Sequence, residues 1–330
     1  MKAFAYVNAT NPKEALAALS SERGKAVPLA GGQDLLALMK DYIYQPDSVV
    51  NVKGLSKAIA VPGGASADAV VIGAAARLAD LAEHQALKKA LPALAHAAAE
   101  AGTPQIRNQG TVGGNLCQRP RCWYFRNEEF HCLKKGGARC FAVDGENQFH
   151  AIFGDAPCHI VHPSSLAVPL MAYEATFRIL GPAGERDVPA ADFFLTPDRR
   201  MYGENVLEPN ELLTEVTVPI RPNQKSAHYE VRFKQSHDWP IAFATVVLSM
   251  RGDTVTSARV VMGAVAPVPW RAPAAEAALV GKTVTEGLAE KAAEAAVANA
   301  KPMTGNAYKV QIARTAVKRA ILQSAGLMKA

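Results

Sequence analysis

The sequence predicts an α+β protein of two domains, and three observations support this fold class. The chain has 330 residues, which is enough for two domains. Short strand patterns alternate with helical patterns in the first part of the chain, and glycine pairs lie between them. After a polar turn at 220–225, strand patterns are followed by alanine-rich helices, an order typical of α+β domains. We therefore predict domains at about 1–222 and 223–330.

The first 60 residues are predicted to form a small α/β subdomain. Strand patterns lie at 2–6, 25–30 and 47–52, and Asn11 followed by Pro12 marks the start of a helix. The second strand pattern leads directly into Gly31 and Gly32 and then into a helix pattern at 34–40. A strand, a glycine turn and a helix start direct several backbone N–H groups at one point. This arrangement is typical of an anion-binding site.

A second subdomain is predicted at about 61–222, after a stretch at 61–68 that is rich in Pro, Gly and Ser. It is expected to begin with a strand and two helices and to continue, beyond the cysteine-rich segment, with a hairpin and a further strand. The C-terminal domain is expected to have antiparallel strands followed by helices. The predicted elements are strands 70–75, 175–180, 185–188, 213–219, 226–234, 242–250 and 256–264, and helices 78–87, 91–102, 284–300 and 308–325.

Composition excludes several classes of protein. The hydrophobic fraction of 49% and the charged fraction of 20% are ordinary for a globular protein. No apolar run is long enough to span a membrane, and the N-terminus has no apolar segment of a secretory signal, so a cytoplasmic location is expected. The net charge is +6, but the basic residues are scattered and form no stripe interleaved with aromatic residues. We therefore expect no nucleic-acid binding.

A second glycine-rich run, QIRNQGTVGGNL, lies at 105–116. Gly113 and Gly114 permit close approach of the backbone to a ligand, and Thr111 and Asn115 offer side-chain hydrogen bonds. Neither glycine segment is a G-x-G-x-x-G turn with an acidic residue about 20 positions further on, which disfavours a Rossmann dinucleotide site. Two separate glycine segments suit a diphosphate held between two lobes.

All five cysteines of the chain, Cys117, Cys122, Cys132, Cys140 and Cys158, lie within one segment. Their odd number, in a chain without a secretory signal, argues against a disulfide framework. Their spacing fits no C-x-x-C zinc ribbon, although a zinc-stapled scaffold and a group of reduced core cysteines remain alternatives. Crowding of this kind favours an iron–sulfur cluster, which takes four thiolates, so one cysteine is surplus.

The motifs PLAGGQDLL, QIRNQGTVGGNL and RFKQS resemble the FAD-binding subunits of the molybdenum hydroxylases, the family of xanthine dehydrogenase, carbon monoxide dehydrogenase and aldehyde oxidoreductase. The cysteine-rich segment, with RCWYF, HCLKK, ARC and APCHIVHPS, is similar to the flavoprotein subunits of bacterial aldehyde oxidoreductases and of 4-hydroxybenzoyl-CoA reductase. Those subunits bind a 4Fe–4S cluster as well as FAD. The resemblance covers essentially the whole chain.

The resemblance implies a PCMH-type FAD-binding domain, similar to that of vanillyl-alcohol oxidase, with two α/β subdomains. It also implies a C-terminal lobe of the carbon monoxide dehydrogenase flavoprotein type and an iron–sulfur insert at about 117–158. Ser165 stands where the family has an acidic residue, so a hydroxyl replaces a charged contact to the adenosine part of FAD. The implied FAD-binding residues are Val27, Pro28, Leu29, Ala30, Gly31, Gly32, Gln33, Asp34, Leu35, Thr111, Gly114, Asn115, Ser165 and Lys234.

The expected cluster ligands are Cys122, Cys132, Cys140 and Cys158. Cys117 lies in the flavin-binding segment, where the family has an apolar residue, so we interpret it as a small buried side chain; its role as a ligand is the alternative. His159, next to Cys158, is a candidate for a hydrogen bond that tunes the cluster. The sequence leaves open whether the cluster is redox-active or holds the insert together.

The resemblance implies an electron-transfer subunit of a heterotrimeric, molybdenum-containing aldehyde oxidoreductase. A large subunit would bind the molybdopterin cofactor and a small subunit two 2Fe–2S clusters, and this chain would pass electrons to an external acceptor. We expect no catalytic residue in the chain. Alternatives are a subunit of a 4-hydroxybenzoyl-CoA reductase or xanthine dehydrogenase type of enzyme and a stand-alone flavin oxidase. Export to the periplasm through a partner's twin-arginine signal also remains an alternative.

Overall fold

The computed structural model describes residues 1–61, 68–234 and 236–329. The predicted boundary at 61–68 falls almost entirely outside the described residues, and so does Gln235 of the RFKQS motif. In the part of the chain that is described, no helix combines the length and the apolar character needed to cross a membrane.

The N-terminal region contains a parallel sheet of three strands in the order β1-β3-β2. The predicted strands and helices of this region are confirmed within a few residues. Asn11 caps the first helix, since its side chain accepts a hydrogen bond from the Glu14 backbone N–H at 3.0 Å. The elements are β1 (Ala5–Asn8), α1 (Pro12–Ala18), β2 (Ala26–Leu29), α2 (Leu35–Lys40) and β3 (Ser48–Asn51).

A second, antiparallel sheet of five strands has the order β4-β5-β8-β6-β7. The predicted hairpin is confirmed, because β6 pairs with β7 across the glycine turn. The strands are β4 (Ile59–Ala60), β5 (Ala69–Gly73), β6 (Thr176–Gly181), β7 (Gly184–Pro189) and β8 (Leu212–Pro219). The helices between them are α3 (Leu78–Glu83), α4 (Gln85–Ala90), α5 (Pro92–Glu100), α6 (Pro104–Gln109), α7 (Val112–Leu116), α8 (Trp123–Arg126), α9 (Ala167–Ala172) and α10 (Ala190–Phe193).

Two sequence predictions are corrected in this region. The predicted helix at 78–87 is two helices, α3 and α4, because His84 interrupts it and its side chain accepts a hydrogen bond from the Leu87 backbone N–H. The second glycine-rich run is not a simple loop but contains α6 and α7. Thr103 and Thr111 cap these helices through hydrogen bonds from the backbone N–H groups of Ile106 and Gly114.

The C-terminal lobe contains an antiparallel sheet of four strands in the order β12-β11-β10-β9, covered by helices. The predicted strands and the last two helices are confirmed within a few residues, whereas α11 was not predicted. The central strand β10 is buried on both faces, because Val246 and Leu248 belong to the core under the helices and Val247 to the core of the second subdomain. The elements are β9 (Gln224–Val231), β10 (Ala242–Arg251), β11 (Thr254–Gly263), β12 (Trp270–Arg271), α11 (Pro273–Leu279), α12 (Glu286–Val297) and α13 (Tyr308–Ser324).

The cysteine-rich segment has little regular structure and is tied to the C-terminal lobe. Lys309, at the start of α13, is buried, and its ammonium group donates to the carbonyl oxygens of Phe149, His150 and Ala264 at 2.7–3.1 Å. The side chain of Asn306 donates to the carbonyl oxygens of His150 and Ala151. The carbonyl groups of Phe149, His150 and Ala151 belong to no sheet or helix. The bonds from Lys309 and Asn306 satisfy them and hold the segment against the lobe.

Candidate functional site

A cavity of about 470 Å³ lies where the two glycine-rich segments meet the C-terminal lobe. A volume of this size falls within the range of small-molecule and cofactor sites. Every residue predicted to bind FAD lines it except Lys234: Val27, Pro28, Leu29, Ala30, Gly31, Gly32, Gln33, Asp34, Leu35, Thr111, Gly114, Asn115 and Ser165. Residues far apart in sequence therefore lie around one site, as expected if the two glycine-rich segments hold one diphosphate between them.

Gly31 and Gly114 serve different purposes in this wall. A Cβ atom on Gly31 would lie 2.0 Å from the backbone oxygen of Gln109, so Gly31 allows the two glycine-rich segments to pack against each other. A Cβ atom on Gly114 would meet only Thr111 Oγ1 within the described part of the chain, at 3.0 Å. The space beside Gly114 is therefore open on the cavity side, where a ligand can approach the backbone.

Polar side chains fix the second glycine-rich segment. Asn115 Oδ1 accepts hydrogen bonds from Ser164 Oγ at 2.6 Å and from the Leu166 backbone N–H at 3.2 Å. Ser165, between these two partners, is buried and lines the cavity. Asn115 thus joins the helix α7 to the segment before α9 and places Ser165 in the wall.

Asp34 connects the first glycine-rich segment to the cysteine-rich segment. Its carboxylate accepts hydrogen bonds from the Arg119 backbone N–H at 2.8 Å and from Arg126 Nη2 at 2.6 Å, and Arg121 Nη1 lies 3.0 Å away. Asp34 lines the cavity, but its oxygens are engaged by arginines of the chain itself. Asp34 therefore holds the first glycine-rich segment against the cysteine-rich segment.

Arg119 and Arg121 also line the cavity, and the sequence analysis did not single them out. Among the described residues, no hydrogen-bond partner is found for the buried atoms Arg119 Nη2 and Arg121 Nε. Burial lowers the pKa of Arg121 to about 10, which leaves it charged at neutral pH. Positively charged side chains in a cavity wall fit an anionic ligand such as a diphosphate. The sequence signal was the R-P-R motif between the glycine-rich run and Cys122.

Lys234 does not line the cavity; it is exposed, in the loop that follows β9. Its predicted place near the flavin ring stays a prediction. The C-terminal lobe contributes instead Glu230, His237, Asp238 and Trp239 to the wall. Trp239 packs against the Arg121 guanidinium, which lies 5.0 Å from the centre of the indole ring.

Four of the five cysteines border a second, small cavity. These are Cys122, Cys132, Cys140 and Cys158, the predicted cluster ligands, and all of them are free thiols. Cys117 lies elsewhere, in the wall of the large cavity, where burial raises its pKa to about 12 and keeps it a neutral thiol. Cys117 is only partly buried, and its interpretation as a small side chain of the wall rather than a ligand stays a prediction.

The environment of the four thiols differs from one to the next. A hydrogen bond from Cys158 lowers the pKa of Cys140 to about 5, and the same bond, together with burial, raises the pKa of Cys158. Lys134, which also lines the small cavity, opposes the rise at Cys158 through its charge. Since the thiolate is the form that binds iron, a nearby cation favours ligation.

A histidine ring lies against one of the thiols, and it belongs to His150. Its Nε2 is 3.2 Å from Cys122 Sγ. Burial lowers the pKa of His150 to about 4, so it is the neutral ring that forms a hydrogen bond with the sulfur. His159, the residue that the sequence suggested for such a bond, contributes its backbone N–H to Cys140.

The walls of the two cavities pack against each other within the described structure. Leu38 lines the large cavity and packs in one apolar cluster with Phe125 and Cys132, which line the small one. A redox group held by the four thiols would therefore lie next to a ligand in the large cavity. The described residues contain no group of three or more His, Cys, Asp or Glu side chains arranged for a single metal ion, as the closed shell of structural zinc requires.

Comparison with known proteins agrees with this geometry. Residues 2–221 match the family described as "FAD binding domain in molybdopterin dehydrogenase", and residues 227–324 match "CO dehydrogenase flavoprotein C-terminal domain". The chain is 34% identical to the aldehyde oxidoreductase FAD-binding subunit PaoB of Escherichia coli K12 over 319 residues, which cover 95% of this chain and 96% of the relative.

Two further comparisons concern carbon monoxide dehydrogenase of Hydrogenophaga pseudoflava. Its medium chain is 31% identical over 323 residues, which cover 96% of each chain. A solved structure of that enzyme superposes with a TM-score of 0.75 at 32% identity and covers 98% of this chain and 97% of the other. The predicted fold class and the predicted family are thereby confirmed. The chain belongs to the FAD-binding medium subunits of the molybdenum hydroxylase family, which are oxidoreductase subunits of dehydrogenase complexes.

Proposed function

We propose that this chain is the electron-transfer subunit of a heterotrimeric, molybdenum-containing aldehyde oxidoreductase and that it holds a 4Fe–4S cluster as well as FAD. In this assembly the chain receives electrons from a small subunit with 2Fe–2S clusters and passes them to an external acceptor. A large subunit with a molybdopterin cofactor oxidises the substrate. The relative named as an aldehyde oxidoreductase subunit supports the aldehyde class.

The proposal rests on one observation: the walls of the two cavities are in contact with each other. Both glycine-rich segments line the large cavity, and four thiols converge on the small one directly behind Leu38 and Phe125. Bound FAD supplies the exchange between single-electron and paired-electron transfer. A cluster held at this position supplies single-electron transfer next to it, so the adjacency favours a redox role over a purely structural one.

The chain's own residues bind and orient these groups. Gly114 lets the backbone approach the cofactor, and Arg119 and Arg121 place positive charge in the wall beside an anionic group. Cys122, Cys132, Cys140 and Cys158 would hold the cluster, with His150 forming a hydrogen bond with the first of them. Apolar side chains such as Leu38 separate the two sites and keep water out of the gap.

Partner docking is proposed at the mouth of the large cavity. Phe233 and Trp239, on the loop after β9, are 68% and 53% exposed, and Trp239 lines the cavity. Large exposed aromatic side chains are typical of interaction surfaces. The positive net charge of +6 also suits an acidic partner.

Domain limits and location complete the proposal. A boundary near 222–223 is supported by the two family matches, which end at 221 and begin at 227. The insert at about 117–158 is supported by the position of the four thiols. We also propose a cytoplasmic location, with export to the periplasm through a partner's twin-arginine signal as the alternative.

The proposal is tested by measuring substrate oxidation by the chain alone and by the chain together with its partner subunits. Expressed alone, the chain is expected to bind FAD but not to oxidise aldehydes, purines or aromatic acyl-CoA esters, because substrate oxidation is proposed to take place on the large subunit. Co-expression with a 2Fe–2S small subunit and a molybdopterin-binding large subunit should give a stable complex on gel filtration, with aldehyde oxidation by that complex. Dye reduction and product analysis measure the activity.

Two outcomes would contradict the proposal. Aldehyde oxidation by the single chain without molybdenum would favour the stand-alone flavin oxidase. Activity of the complex on purines or acyl-CoA esters, with none on aldehydes, would assign the chain to the xanthine dehydrogenase or 4-hydroxybenzoyl-CoA reductase type instead.

A further inference from the structure

Three buried charges, Arg119, Glu204 and Lys134, connect the walls of the two cavities. Arg119 Nε lies 2.6 Å from Glu204 Oε2, and Lys134 Nζ lies 2.8 Å from Glu204 Oε1. Arg119 lines the large cavity and Lys134 lines the small one. One carboxylate therefore joins a cation in each wall, and we call these three side chains the charge triad.

The charge triad is shielded from water and held in place. The exposed fractions of the side chains are 11% for Arg119, 3% for Glu204 and 1% for Lys134. The Lys134 ammonium group also donates to the Met201 carbonyl oxygen at 2.9 Å, and the Arg119 guanidinium lies 4.9 Å from the centre of the Phe125 ring. Charges held in this way act at low local dielectric and are weakly screened by salt.

The two cations beside Glu204 favour its charged form. Burial alone would raise the pKa of Glu204, but the charges of Arg119 and Lys134 bring it below its usual range. Two cations and one anion leave a net charge of one positive unit between the two sites. His162, which also faces Glu204, stays neutral because burial lowers its pKa to about 4.

We propose that the charge triad sets the reduction potentials of both cofactor sites: its net positive charge favours the reduced forms, and Glu204 limits that effect by compensating one of the two cations. The inference rests on the proposed function, since it requires a cluster at the four thiols and FAD in the large cavity. The reduced form of each group carries more negative charge than the oxidised form. A buried positive charge beside it therefore raises its potential, and a buried negative charge lowers it.

The matched pair Glu204→Gln and Lys134→Gln tests this proposal in the full-length protein loaded with both cofactors. The first variant removes a negative charge and breaks both ion pairs of Glu204, and the second removes a positive charge and breaks one of them. Redox titration followed by electron paramagnetic resonance measures the cluster, and visible absorbance measures the flavin. For Glu204→Gln we expect the ratio of reduced to oxidised cluster at a fixed potential to rise about tenfold, which is about 59 mV for a one-electron couple.

For Lys134→Gln we expect a fall of similar size at the cluster and a smaller fall at the flavin, because Lys134 lies in the wall of the small cavity. The double variant Glu204→Gln/Lys134→Gln keeps the net charge and should have potentials near those of the unmodified protein. Shifts of the same sign in both single variants, or no shift in either, would overturn the proposal, because a packing role does not depend on the sign of the charge.

The reduction potential of the flavin shows whether this inference fails or the proposed function fails. If the unmodified protein binds no cluster, the proposed function is wrong in that part. The flavin potential then decides the inference alone: a rise in Glu204→Gln supports it, and an unchanged potential overturns it. If a variant does not fold, the Arg119→Gln variant replaces it, with an expected fall in the flavin potential.

Discussion

Gly114→Val is expected to lose most of its FAD. The Gly114 Cβ position is open toward the cavity, so the added side chain occupies volume that the cofactor needs. Overpacking of this kind costs about 1–3 kcal/mol, which weakens binding on the order of tenfold to a hundredfold. Flavin per chain after purification, and titration of the flavin-free protein with FAD, measure the effect. Iron content should change little, because Gly114 does not line the small cavity.

Two glycines elsewhere give the controls. Gly287→Val, in α12, adds the same side chain where no atom lies within 4 Å, so full FAD binding is expected. Gly31→Ala places a Cβ atom 2.0 Å from the Gln109 backbone oxygen, so it should lose both FAD and thermal stability. Full flavin content in Gly114→Val would show that the assignment of this glycine to the cofactor clamp is wrong.

Single replacement of Cys122, Cys132, Cys140 or Cys158 by serine is expected to remove most of the iron, from about four atoms per chain. These four thiols border one small cavity, and serine is a poor ligand for iron in such a cluster. Thermal stability should also fall, since the segment around the small cavity has little regular structure of its own. Iron analysis and electron paramagnetic resonance of the reduced protein measure the loss.

Cys117→Ser is the matched control, because Cys117 lies in the wall of the other cavity. It should retain its iron. The opposite result, with iron retained in Cys158→Ser and lost in Cys117→Ser, would reverse the assignment of the ligands.

The sequence predicted those features that depend on residues close together in the chain. Glycine pairs permit close backbone approach, so Gly31 and Gly114 could be recognised before any contact was known. Crowding of the cysteines in one segment indicated the four thiols that the structure brings together. The alternating strand patterns of the C-terminal lobe were sufficient because each strand pairs with its neighbour in sequence.

Residues whose role depends on distant partners could not be predicted in this way. Glu204 forms ion pairs with Arg119 and Lys134. Lys309 donates hydrogen bonds to the carbonyl oxygens of Phe149 and His150. No local sequence pattern indicates such contacts. The end of the helix at His84 depends on a single side-chain hydrogen bond, which periodicity does not register.

The central claim is that one chain holds FAD and a 4Fe–4S cluster side by side. The most direct measurement is flavin, iron and acid-labile sulfide per chain in protein purified without oxygen, together with its visible and electron paramagnetic resonance spectra. We expect about one FAD, four iron atoms and four sulfides per chain, with a cluster signal that appears on reduction. FAD without iron, or zinc without a visible spectrum, would contradict it.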